Sequence, residues 1–197
     1  VVVANFFGAG KKQEVKDTVH TAIFLSIISG IILTVIGIFG AKKILILMQS
    51  PKEVLNLATT YLQVYFAGIT ATMVYNFGSA ILRAIGDTKR PLYFLMFSGV
   101  VNVALNLLFV RQFNMSVLGV ALATVIAQCL SAVLCLLKLR KMTTLFDMNL
   151  HYLKPDFHNI ATMVKLGLPS GVTQAIFSMA MVIVQSLTNS FGEMVIA

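Results

Sequence analysis

Three observations predict an all-α integral membrane protein. Apolar residues make up 58% of the chain and charged residues 11%, with a mean hydropathy of +0.89, whereas soluble domains carry about 25% charged residues. Five stretches, 22–41, 54–82, 91–110, 112–137 and 166–192, contain no Asp, Glu, Lys or Arg. Each reaches the ~20 residues that a helix needs to cross ~30 Å of hydrocarbon. The third observation is that the cations between these runs alternate in number from one connection to the next. A soluble core would need five separate long runs without one charge.

The opening VVVANFFG is apolar but too short to span, and it lacks the basic start of a signal peptide. A new apolar run begins at Glu193. Both ends are expected to be parts of helices, so the chain reads as a piece of a longer protein. Residues 22–41 form the first complete span. Ser50-Pro51-Lys52-Glu53 has the residues of a capping box with proline at the first helical position. The second span is therefore expected to start there and run unbroken at least to Leu82, longer than a bilayer requires. Tyr61 and Tyr65 then fall near the outer interface, where tyrosine is favoured.

The connection LRAIGDTKRPLYF at 82–94 is a helix–turn–helix hairpin by its residues. Gly86 suits the left-handed conformation that ends a helix. Asp87 or Thr88 can cap the next helix, and Pro91 fits its first turn. Arg83 and Asp87, four apart, can pair, and Lys89 and Arg90 hold the turn at the membrane surface. The third and fourth spans follow at 91–110 and 112–137. Cys129 and Cys135, six apart on one helix, point in different directions and read as small packing residues.

Residues 140–156 are the longest polar stretch and the expected linker between two bundles, with 1–139 before it and 157–197 opening the second. Asp156 can cap a short amphipathic segment in which Phe157, Ile160, Ala161 and Val164 share a face. Gly167 and Pro169 are expected to turn the chain from that segment into the fifth span.

Alternate connections lie on the same side of a membrane. The first, third and fifth hold Lys11, Lys12, Lys16, Arg83, Lys89, Arg90, Lys138, Arg140, Lys141, Lys154 and Lys165; the second and fourth hold only Lys42, Lys43, Lys52 and Arg111. That bias places the Gly86–Pro91 turn in the cytoplasm. It also explains the net charge of +8 without nucleic acid, which would call for basic residues interleaved with aromatics on one surface. His20, His151 and His158 have no metal-ligand spacing, and no nucleophile–base set appears, so neither a metal site, an organic cofactor nor an enzyme is expected.

Polar residues recur inside the spans at helical spacing. Thr72, Asn76, Ser79 and Arg83 share a face of the second, Asn102 and Asn106 of the third, and Thr124 and Gln128 of the fourth; Gln174, Ser178, Gln185 and Asn189 share a face of the fifth. Such groups often only bond helix to helix. Two asparagines one turn apart near the centre of a span are costlier to leave unpaired, and they point to a cavity or ion path.

LRAIGDTKRPLYF, followed by VVNVALNLLFV at 100–110, GVALATVIAQ at 119–128 and KLGLPSGVTQ at 165–174, resembles the multidrug and toxic compound extrusion (MATE) family, in its DinF-like rather than its NorM-like branch. The resemblance implies twelve helices in two lobes, with this chain holding the end of helix 2, helices 3–7 and the start of helix 8. It also implies an N-lobe cation or proton site at Asn102, Asn106 and Thr124, with an aspartate where this chain has Asn106. All seven acids lie outside the five uncharged runs. NorM-type members place a glutamate where this chain has Phe177.

The function implied is a secondary antiporter of the cell membrane, in a bacterium the inner one. It would export amphipathic or cationic drugs and toxins in exchange for Na⁺ or H⁺, with Asn102, Asn106, Thr124, Gln128, Asn76 and Gln174 along the pathway. The rest of its own chain would complete it. Walls rich in Met and Phe suit varied ligands. A flippase for lipid-linked precursors is the alternative, but it would want arginines lining the cavity to meet phosphates, and none lies deep in these spans.

Overall fold

The computed structural model describes residues 1–48, 50–142 and 157–190. Among these, helix is the only regular structure: α1 (Val2–Gly8), α2 (Lys12–Leu47), α3 (Lys52–Ala67), α4 (Ile69–Ala84), α5 (Lys89–Leu107) with a π-helical turn at its end (Leu108–Gln112), α6 (Ser116–Arg140) and α7 (Phe157–Ser190). Four stretches, Lys12–Leu47, Lys89–Gln112, Ser116–Arg140 and Asn159–Thr188, are each long and apolar enough to cross a membrane. Their many exposed Ile, Leu, Val and Phe side chains suit contact with lipid tails, which are as apolar as leucine.

The second expected span is not one helix. It breaks at Gly68 into α3 and α4, 16 residues each. The Gly68 N–H turns back to the Tyr65 carbonyl at 3.1 Å, and the N–H groups of Ala71 and Thr72 both return to the Gly68 carbonyl. A β-carbon at Gly68 would lie 2.6 Å from Val125 Cγ2 on α6. The break therefore sits where Val125 of α6 presses on the chain, and a side chain at position 68 would collide with it. The capping box is also not formed: α3 starts at Lys52 with Pro51 before it and no side-chain cap hydrogen bond.

Small residues let α2 approach the broken span from the other side. A β-carbon at Gly30 would meet Thr70, and one at Gly37 would fall within the Phe66 ring. Between these glycines, Thr34 Oγ1 donates to the Phe66 carbonyl at 2.9 Å and lies 3.3 Å from Thr70 Oγ1. Gln63 Nε2 reaches the Ile38 carbonyl at 3.1 Å. The Thr34 hydroxyl thus satisfies a backbone carbonyl beside the interruption, as a break in the helical ladder at membrane depth requires.

The main core packs Val15, Val19 and Ile23 of α2 against Val74, Ile81 and Leu82 of α4 and Cys135 and Leu139 of α6. Gly78 makes room for Cys135, whose sulfur would lie 2.7 Å from an added β-carbon. Cys129 is exposed and Cys135 buried, both as free thiols.

Two further expectations fail. α7 runs through Gly167 and Pro169 as one 34-residue helix, where a turn into the fifth span was expected. Proline removes one N–H from the helical ladder, a loss that transmembrane helices tolerate. Arg83 does not pair with Asp87; it folds back along its own helix, Nε to the Ser79 carbonyl at 3.2 Å and Nη2 to Ser79 Oγ at 3.0 Å. The intervening residue Gly86 turns the chain away at that point. The proposed cap at Asp156 and most of the 140–156 linker lie outside the described residues.

Candidate functional site

The hairpin at 82–94 closes α4 as its sequence dictates. Gly86 has φ +93°, the Gly86 N–H bonds the Arg83 carbonyl at 3.1 Å, and the Asp87 N–H bonds the Leu82 carbonyl at 2.9 Å. These are the paired bonds of a glycine-ended helix. Asp87 then works forward: its carboxylate accepts from the Arg90 backbone N–H at 3.4 Å and from Arg90 Nη1 at 3.0 Å. Pro91 is buried, and its carbonyl accepts from the Tyr75 hydroxyl at 2.8 Å. Lys89 and Arg90 are exposed. The turn is a braced joint between α4 and α5, with no group poised for chemistry.

Beyond that joint, α5 and α6 lie side by side. Deep between them Ser131 Oγ donates to Ser98 Oγ. One turn further along α5, a longer polar chain begins. Asn106 Nδ2 donates to Asn102 Oδ1 at 3.0 Å, and Asn102 Nδ2 donates to Thr124 Oγ1 at 3.4 Å. The Thr124 hydroxyl donates in turn to the Val120 carbonyl at 3.0 Å. The donors run in one direction, from Asn106 along α5 to Asn102 and then across to α6. At its other end Asn106 Oδ1 is buried and has no donor among the described residues.

That arrangement has a definite chemical meaning. A buried carbonyl oxygen without a donor costs about 1–3 kcal/mol, and in hydrocarbon water cannot make up the loss. The oxygen can accept a hydrogen bond or face a cation. It cannot carry a proton near neutral pH, because it belongs to an amide.

Of the six residues expected along the pathway, the structure brings three together: Asn102, Asn106 and Thr124. Gln128 stands one turn beyond Thr124, half-buried, without a hydrogen bond to the chain among the described residues. Asn76 and Gln174 are exposed on α4 and α7, and neither is hydrogen-bonded to the cluster. The stripe on α4 collapses into local bonds: Ser79 Oγ donates to the Asn76 carbonyl at 3.0 Å and receives Arg83 in turn.

The polar seam of Thr34, Gln63 and Thr70 at the Gly68 break was missed in the sequence. Its signal is the run Gly30, Thr34, Gly37 on one face of α2, together with a lone glycine at the middle of an apolar run.

Comparison with known proteins identifies the family. Residues 1–108 match the MatE family. The chain is 34% identical over 161 residues to "Probable multidrug resistance protein YpnP" of Bacillus subtilis (strain 168), covering 82% of this chain and 36% of that protein. It is 29% identical over 200 residues to "Probable multidrug resistance protein YoeA" of the same organism, covering 98% of this chain and 43% of that one. Among solved structures, the inward-facing conformation of a multidrug resistance MATE family transporter of the MOP superfamily superposes with a TM-score of 0.86 at 26% identity, over 95% of this chain and 43% of the other. The chain thus spans less than half the length of the relatives it matches.

Proposed function

The chain, an all-α multi-pass membrane protein, belongs to the MatE family, and on that premise we propose that the protein is a secondary active multidrug efflux antiporter. It exports amphipathic or cationic compounds in exchange for Na⁺ or H⁺. Two lines support the reading: the relatives bear multidrug-resistance names, and a polar chain ends on an unmet acceptor inside a membrane-spanning pair.

The single observation that carries the site is the Asn106 carbonyl, buried without a donor among the described residues at the end of the Asn102–Thr124 chain. Asn102, Asn106 and Thr124 form the polar wall of an N-lobe path, with Gln128 next along it and Asn76 and Gln174 on surfaces that other helices of the full protein would meet. A neutral amide binds or guides a cation or a ligand donor and moves no proton. A coupling acid therefore belongs elsewhere in the full protein.

Residues 1–139 act as part of one lobe and 157–197 as the start of the second. They are joined by 140–156 on the cytoplasmic side, so that rocking of the lobes alternates access. The membrane is the cell membrane, the inner one in a bacterium, in keeping with relatives from Bacillus and Staphylococcus. The test is drug efflux by the full-length protein in proteoliposomes, wild type against Asn106→Leu. The reading requires loss of transport by a variant that still inserts and folds.

A further inference from the structure

The end of the bundle that carries the Gly86 turn holds more positive charge than its own acids balance. Two connections meet there, each turned by a left-handed glycine: Gly10 with φ +70° and Gly86 with φ +93°. Neither glycine has an atom within contact distance of its missing side chain, so the turns leave open space. Two cavities occupy it. One, of about 350 Å³, has Phe7, Val15, Ile85 and Met142 as walls and Lys11 and Lys12 at its rim. The other, of about 520 Å³, is a more polar cup formed by Gly86, Lys89, Arg90 and Tyr93, with the Asp87 carboxylate in its wall, paired to Arg90. Ile85 and Met142 line both, so the apolar slot and the polar cup adjoin.

The charges converge in a way that folding alone does not favour. Lys12 and Lys89 are the first residues of α2 and α5, where the helix dipole favours anions and disfavours cations. The first turn of α5 contains no acid. Lys11 is held by Glu14 at 3.5 Å and by the Phe6 ring, and Arg90 by Asp87 at 3.0 Å. The side-chain ammonium groups of Lys12 and Lys89 make no ion pair or hydrogen bond among the described residues. The inside-positive bias accounts for the side of the membrane these cations occupy; it does not account for their placement at two helix N-termini, Lys12 on the apolar slot and Lys89 on the adjoining cup.

We propose that this groove is a binding site for one anionic phospholipid, its phosphate between Lys12 and Lys89 and an acyl chain along Phe7, Ile85 and Met142. Basic pockets between transmembrane helices at the headgroup level suit such headgroups, and Tyr93 supplies the interfacial aromatic. A soluble phosphate would use the cup and leave the apolar slot empty, so the pairing of the two favours a lipid. The site is separate from the Asn102–Asn106 chain and does not depend on the transport reading.

The experiment uses the full-length protein in detergent. Retention of added phosphatidylglycerol or phosphatidylcholine is measured by native mass spectrometry. Wild type should hold phosphatidylglycerol more tightly, and Lys12→Gln/Lys89→Gln should weaken that hold by about thirtyfold, the effect of two lysines at an anionic surface. Lys12→Arg/Lys89→Arg should keep the preference, as should Lys42→Gln/Lys43→Gln on the second connection. If the double glutamine variant does not fold, Lys89→Gln alone, at an exposed position, should lose about fivefold. Three outcomes overturn the proposal. One is a preference that survives the glutamine variants. The second is displacement of the lipid by millimolar inorganic phosphate, which would mark a free-anion site. The third is a wild type with no preference for phosphatidylglycerol.

Discussion

Asn106 donates its side-chain amide to Asn102 at 3.0 Å while its own carbonyl oxygen is buried with no donor among the described residues. The two residues are one helical turn apart, so the bond within the pair fixes the direction in which the remaining acceptor is offered. Asn102 is linked to α6 through Thr124 at 3.4 Å, so the pair bridges two spans.

Gly68→Ala should destabilise the full-length protein by about 1–3 kcal/mol, the usual cost of forcing atoms into a packed contact. Its β-carbon would lie 2.6 and 2.8 Å from the two methyl groups of Val125. Val125→Ala in the same chain should recover much of the loss. Thermal unfolding in detergent of the two single variants and the double variant measures the coupling. Independent, additive effects would mean that the two helices do not meet there.

Gly86→Ala and Gly99→Ala form a matched pair, since neither site has an atom near an added β-carbon. Gly86 has φ +93°, so alanine there should cost about 1–2 kcal/mol in backbone strain. Gly99 lies inside α5, where alanine should be neutral or gain up to about 1 kcal/mol from helix propensity. Melting midpoints that move together would show that backbone conformation is not what Gly86 supplies.

Much of this architecture is legible in composition and spacing. The uncharged runs gave the helices because length and hydropathy alone decide whether a segment can cross a bilayer. Gly86 announced its turn because few other residues adopt a left-handed backbone cheaply. Gly68 did not announce its break. A glycine inside an apolar run is common in membrane helices, and its role depends on Val125, 57 positions away in the chain. Pro169 misled in the opposite sense, as a helix breaker that the helix absorbed. At the site, helical spacing paired Asn102 with Asn106 and Thr124 with Gln128. Which pair meets across the interface is set by the rotation of α5 against α6, and that follows from packing rather than from spacing.

The connections at Lys11, Lys89 and Arg140 should face the cytoplasm, and those at Lys43 and Arg111 the outside. The structure gathers the first set at one end, where Ile85 and Met142 line the same cavity as Lys11 and Lys12. The check is labelling of single cysteines by an impermeant thiol reagent on intact cells, in a full-length background lacking Cys129 and Cys135. Labelling at position 89 with none at 111 would reverse the topology.

The most direct test of the transport account is efflux from proteoliposomes across a pH series for wild type, Asn106→Leu and Asn106→Asp, at matched reconstitution and with folding checked by thermal unfolding. Loss of the acceptor in Asn106→Leu should abolish efflux while the protein stays folded. Asn106→Asp places a titratable group at the end of the chain, where burial raises a carboxyl pKa, so the pH profile of efflux should shift from that of wild type. If both variants match wild type in rate and in pH profile, the Asn102–Asn106–Thr124 chain is packing alone and the proposed pathway is wrong.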